Sequence, residues 1–109
     1  MGTGGIEFSV DVRREPDRVV IVPTGELDIG TVPRLAAAFR SADGAPAVVL
    51  DLRELLFLDT SGLRAVIDED RRAVADGRRL GIVPGPRPVQ RVFELAGVAD
   101  RLPFTAEGP

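Results

Sequence analysis

The chain has 109 residues, 44% of them apolar, and a formal net charge of −3 at pH 7, which fits one globular domain. It contains no Cys, His, Trp or Tyr, and all 14 of its basic residues are Arg. This excludes thiol and imidazole chemistry, disulfides, Cys/His metal sites and Schiff-base or phosphate-loop lysines. An acidic balance, only five Phe and no basic run longer than a pair such as Arg71-Arg72 argue against nucleic acid as a partner.

No segment approaches the roughly 18 continuous apolar residues of a membrane span, so no membrane insertion is expected. Met1 to Gly5 reads as a flexible Gly-rich lead without the basic and apolar regions of a signal peptide, which points to the cytoplasm.

Ile6 to Arg13 alternates, with Ile6, Phe8, Val10 and Val12 against Glu7, Ser9, Asp11 and Arg13. This predicts a strand with one wet face. A polar turn at residues 14–17 leads into an apolar strand, Val19 to Val22, and the two predict a hairpin. Pro23 lacks an N–H and suggests the end of that strand or a sheet edge. After Gly25-Glu-Leu-Asp28 a helix is predicted from about Thr31 to Ala42. Its stripe is Val32, Leu35, Phe39 and Ala42, with Thr31 as cap and Pro33 in the first turn.

Ala47 to Leu52 reads as a central parallel strand. Leu55-Leu-Phe-Leu58 then precedes Asp59-Thr-Ser-Gly62, which opens a second helix running to about Asp76 and stopped by Gly77. Leu80 to Val83 is a short strand and residues 84–86 a loop. A third helix from about Arg87 to Ala96 buries Val89, Val92, Phe93 and Ala96, and a last short strand is possible around Phe104. Val49, Leu52, Leu63, Ile67, Val92 and Phe93 are the expected core. The order β-β-α-β-α-β-α predicts one α/β domain, residues 6–105, with a tail at 106–109. Its mixed sheet joins an N-terminal hairpin to parallel strands, with helices packed on it.

In open α/β sheets the functional crevice lies beyond the carboxyl ends of the strands. Asp28 and the segment Asp59 to Gly62 both fall there. Ser61 then sits at a helix N-terminus, where an anion such as phosphate is favoured. A plainer account makes Thr60 or Ser61 a helix cap, Asp59 a loop end and Gly62 a tight turn. The D-T-S-G string also evokes aspartic proteases, but those need two such loops and only one is present.

The order and spacing of several segments resemble the STAS family, the domain of sulfate transporters and anti-sigma factor antagonists. The segments are Gly25-Glu-Leu-Asp28, Val48-Val-Leu-Asp-Leu52, Phe57-Leu-Asp-Thr-Ser-Gly-Leu63, Ala75-Asp-Gly77, Leu80-Gly-Ile-Val83 and Val89-Gln-Arg-Val-Phe-Glu-Leu-Ala-Gly97. The resemblance spans about Ile6 to Phe104.

For the antagonist members, the resemblance implies that Ser61 is phosphorylated by a partner anti-sigma factor, a serine kinase of histidine-kinase-like ATPase fold. The unphosphorylated domain would bind that partner and free a sigma factor for transcription, and a phosphatase would reset it. Asp28 and Asp59 would surround the acceptor and help recognise the partner, together with Thr60, Gly62 and Arg64. No catalytic residue, metal or cofactor is implied.

The chain departs from the family at Arg64, where a small residue is usual, and at the acidic run Asp68-Glu69-Asp70. Asp70 falls on the apolar side of its helix and is expected at a solvated stripe edge near Arg71 or Arg101. Arg64 and Asp68 could instead make partner-specific contacts. Two other functions compete with the phospho-switch. One is a STAS subunit of a lipid-transport ABC system, which would share the fold and a similar loop. The other is an enzyme using Asp28 and Asp59 as acid and base, which lacks Lys, His and a phosphate loop. Retention of both G-E-L-D and D-T-S-G favours the switch.

Overall fold

The computed structural model describes residues 7–105, so Ile6, expected to start the first strand, lies outside the described residues. The N-terminal hairpin joins β1 (Ser9–Arg14) to β2 (Val19–Leu27) in antiparallel register, from Ser9 opposite Thr24 to Arg14 opposite Val19. The polar turn is closed by the Glu15 N–H donating to the Arg18 carbonyl at 2.9 Å. The alternation holds, since Phe8 is buried and Val10 and Val12 pack on the core while Ser9, Asp11 and Arg13 face outward.

Pro23 does not end β2, which runs four residues past it. Residues 19–21 pair in parallel with β3 (Ala47–Asp51), and residues 25–27 pair in parallel with β4 (Leu55–Leu58). Pro23 falls between these two ladders, where its missing N–H interrupts neither.

The fourth strand is an addition to the predicted order. Its burial reads buried, exposed, exposed, buried, because Gly25 faces Leu55 while Glu26 faces Phe57, leaving Leu56 as an extra residue. Such a bulge breaks the period-2 signature of a strand. On the facing side, Gly25 takes a φ of 98°, a left-handed conformation that a residue with a Cβ avoids. β5 (Arg79–Val83) lies parallel to β3, giving the path β1-β2-β3-β5 with β4 on β2, and Phe104 forms a single parallel bridge to Ile82.

Three helices cover the sheet: α1 (Val32–Ser41), α2 (Thr60–Asp76) and α3 (Arg87–Leu95). One core unites Ile21, Leu27, Leu35, Phe39, Leu50, Leu52, Leu58, Val66 and Phe93, and the Phe93 ring meets Phe104 edge-on at 5.1 Å. Of the expected core, Leu52 and Phe93 are fully buried and Leu63 nearly so. Ile67 and Val92 are only partly covered, at the edges of their helices' apolar stripes. Val49 points to the other face of the sheet, half-buried opposite Val20. Ala96 is exposed because α3 ends one residue before it.

On the acidic run of α2, Asp70 is half-exposed, in line with the expected stripe edge, but makes no ion pair with Arg71 or Arg101 among the described residues, and the carboxylate that is buried is Glu69. Glu69 accepts from Arg72 at 3.0 Å and lies 3.4 Å from Arg78, and Arg72 also reaches Asp43 at 3.1 Å. A buried carboxylate needs such partners to remain charged. Together these side chains tie α2 to the turn after α1 and to the approach to β5.

Asp51, at the end of β3, is the second buried acid. Burial pushes its carboxyl up, but the side-chain and backbone hydrogen bonds from Arg53, its charge and that of Arg13 together leave the group below its ordinary value. A carboxyl lowered in the folded state stabilises the fold above its unfolded value, near 3.9, and loses that contribution as pH falls through the folded value. Asp51→Asn should therefore be less stable than wild type at pH 7. Urea unfolding at stepped pH should show this deficit shrinking below about pH 4.

Candidate functional site

Leu27 and Leu58 are directly paired at the carboxyl ends of β2 and β4, and both are buried. The next residues, Asp28 and Asp59, therefore leave the sheet side by side. The Asp59 N–H donates to the Leu27 carbonyl at 3.2 Å, carrying the strand pairing one residue into the loop. This brings together the two segments that the sequence places at the same end of the sheet.

Asp28 organises the start of α1. Its Oδ1 accepts from the N–H groups of Gly30 (3.0 Å) and Thr31 (3.1 Å), and its carbonyl accepts from Val32 at 2.9 Å. Thr31 occupies the cap position but makes no side-chain cap bond. Its hydroxyl faces back instead, accepting from the Asp28 N–H and donating to the Glu26 carbonyl, both at 2.9 Å. The capping work expected of Thr31 thus falls to Asp28.

At α2 the cap is Asp59. Its Oδ1 accepts from the Gly62 N–H at 3.1 Å, and its carbonyl accepts from Leu63 at 2.9 Å. Neither Thr60 nor Ser61 caps the helix, which removes the plainer account of those hydroxyls. Ser61 is half-exposed in the first turn, Thr60 is exposed beside it, and neither hydroxyl has a hydrogen bond within the described protein. Each aspartate commits Oδ1 to its loop and leaves Oδ2 without a partner among the described residues.

Gly62 is buried rather than displayed. A Cβ there would stand 2.8 Å from the Leu27 carbonyl oxygen and 3.0 Å from Leu58 Cβ. Its part in the site is to seat α2 against the ends of β2 and β4 and so fix Ser61 relative to Asp28.

Ser61 and Thr60 open into a cleft of about 660 Å³ between α1 and α2. Val32, Ala36, Phe39 and Ala65 give it an apolar floor, and Arg64 and Asp68 stand along its α2 side. Arg64 is exposed and forms no ion pair among the described residues. Ile29, 76% exposed, projects at the cleft mouth, and Phe57, 47% exposed, lies across from Glu26 on β4. Sequence reasoning passed over both. An isoleucine inside the polar string Asp28-Ile-Gly-Thr31 was the available signal, whereas the bulge that exposes Phe57 had none.

The five-stranded mixed sheet with three helices thus carries, at the start of α2, a serine beside two loop aspartates. The family model described as Mlab, STAS domain, matches residues 10–104, and the chain belongs to the STAS domain family. Among solved structures, an anti-sigma factor antagonist from Mycobacterium paratuberculosis is 25% identical with a TM-score of 0.75, the match covering 93% of this chain and 87% of that one. The antagonist SpoIIAA in its unphosphorylated form is 24% identical with a TM-score of 0.70, over 93% and 90% of the two chains. SpoIIAA of Bacillus in the phosphorylated form is 23% identical with a TM-score of 0.67, over 93% of each. Among the described residues, no helix is long and apolar enough to cross a membrane.

The division of labour between cap and free hydroxyl is measurable as stability. Asp59→Ala should cost about 0.5–2 kcal/mol, the range for a lost N-cap. Ser61→Ala should stay within about 0.5 kcal/mol of wild type, as a surface change does. Chemical denaturation of the two variants reads both, and a Ser61→Ala loss as large as that of Asp59→Ala would mean that Ser61 holds the helix.

Proposed function

We propose that this protein is an anti-sigma factor antagonist switched by phosphorylation at Ser61. In its unphosphorylated form it binds an anti-sigma factor that is also a serine kinase of histidine-kinase-like ATPase fold, and so frees a sigma factor. Phosphate on Ser61 ends the binding, and a phosphatase restores it. The protein acts in the cytoplasm as a binding module and performs no chemistry of its own.

The observation that carries this reading is the free Ser61 hydroxyl. Asp59 takes the cap, so Ser61 can be modified without dismantling the helix start. The STAS resemblance supports Ser61 over Thr60 as the acceptor, since it implies a modified hydroxyl immediately before the glycine. The antagonist from Mycobacterium paratuberculosis supports the role, and SpoIIAA indicates that the fold accommodates a phosphorylated state.

The partner surface follows from the same geometry. Asp28 and Asp59 offer their uncommitted Oδ2 atoms, Thr60 and Arg64 flank the serine, and Gly62 contributes indirectly by seating the helix. Ile29 adds apolar area to the rim. A phosphate brings about −1.5 to −2 charges to a surface already holding two carboxylates. A partner fitted to the unmodified surface then meets repulsion and a desolvation penalty, with no refolding required.

Ser61→Ala should bind the kinase constitutively, Ser61→Asp should bind poorly while keeping its thermal stability, and Thr60→Ala should remain a substrate. Phosphopeptide mapping after incubation with the kinase and ATP, beside binding assays on the three variants, tests this. Phosphate found only on Thr60, or a Ser61→Asp variant that binds as tightly as wild type, would sink the mechanism. Capture of a transport ATPase with its permease, and of no kinase, would favour the lipid-transport subunit instead.

A further inference from the structure

We propose that Arg64 is an intramolecular clamp for the phosphate on Ser61, so that modification both adds charge and withdraws a cation from the partner surface. The inference rests on Ser61 being the phosphorylated residue, but the clamp can be tested without any kinase.

Three observations point to it. Ser61 and Arg64 stand three residues apart on α2 and line the same cleft. Residues at this spacing are neighbours on a helix surface. Helical side chains lean toward the N-terminus, which is the direction of Ser61 from Arg64.

Arg64 is also uncommitted among the described residues, as is Arg40 on the α1 side of the cleft, whereas other arginines of the domain are held. Arg72 and Arg78 are held by Glu69, and Arg53 by Asp51. The acid available to Arg64 on its own helix is Asp68, one turn further on. That order, cation first and acid second, is the weaker orientation for a helical pair, and no ion pair forms between them among the described residues. Before modification, therefore, nothing on α2 occupies Arg64. Afterwards a dianion lies within reach of a planar donor suited to grip two phosphate oxygens at once.

The consequence is a switch with two components. The free form presents Arg64 at the cleft beside Ser61, and the modified form folds that cation onto its own phosphate. A partner carboxylate that pairs with Arg64 in the complex then loses its counter-charge in addition to meeting the phosphate.

The test uses full-length protein carrying phosphoserine at position 61, installed during translation, as wild type and with Arg64→Ala and Arg64→Lys. Phosphorus NMR follows the second ionisation of the phosphate against pH. Asp28 and Asp59 from the loops, Asp68 on α2, and Arg40 and Arg72 at the far end of the cleft act on the phosphate equally in all three proteins. The clamp predicts that the phosphate of wild type titrates about half a pH unit below that of Arg64→Ala, with Arg64→Lys between them. The Nε–Hε resonance of Arg64 should also shift when the phosphoserine replaces serine. Superimposable titrations for wild type and Arg64→Ala would overturn the clamp while leaving kinase-dependent switching at Ser61 intact. Failure of a kinase to modify Ser61 would leave the clamp measurement standing.

Discussion

The site depends on the pairing of Leu27 with Leu58 at the ends of β2 and β4. The two loops of the proposed switch begin directly downstream of that pair. Asp28 and Asp59 emerge together because their predecessors are in register. The hydrogen bond from the Asp59 N–H to the Leu27 carbonyl extends the register, and Gly62 then packs on the same carbonyl. A one-residue slip in β4 would send Asp59 and Ser61 to different positions relative to Asp28. The Leu56 bulge is what sets this register, since it absorbs one residue before the chain reaches Leu58.

Charge is partitioned in a way that matches this division between scaffold and surface. The buried acids Asp51 and Glu69 are each held by arginine, and they lock strand ends and helix flanks. The acids of the proposed switch, Asp28 and Asp59, are held by backbone N–H groups, which leaves part of each carboxylate open. An N–H bond orients a carboxylate without neutralising it, so the rim keeps its negative character. Arg64, without an ion pair among the described residues, is likewise left open on the cleft.

Much of this was legible in the sequence. The alternation from Phe8 to Val12, the central strand from Ala47 and the end of α2 at Gly77 all follow directly from periodicity and capping chemistry. The resemblance of Gly25-Glu-Leu-Asp28 and Asp59-Thr-Ser-Gly62 to STAS sequences pointed to the two loops that the sheet brings side by side. Two features were hidden for identifiable reasons. β4 lacks alternation because of its bulge, and Pro23 looked like a strand end because its tolerance depends on a switch of partners that only the sheet displays. Likewise, helical spacing alone placed Asp70 on the apolar side, whereas the partners of α2, Arg72 and Arg78, select Glu69 for burial.

Replacing Gly62 with Ala tests the central dependence most directly, because its Cβ would press on the Leu27 backbone oxygen, which cannot swing aside as a flexible side chain could. Amide chemical shifts and urea unfolding of Gly62→Ala should show two linked effects. Resonances of Leu27, Asp28 and Ile29 on the far loop should move along with those of Thr60 and Ser61, and stability should drop by about 1–3 kcal/mol, the usual cost of overpacking. Shifts confined to α2, with stability unchanged, would contradict the claim that the two loops are held as one unit through the ends of β2 and β4.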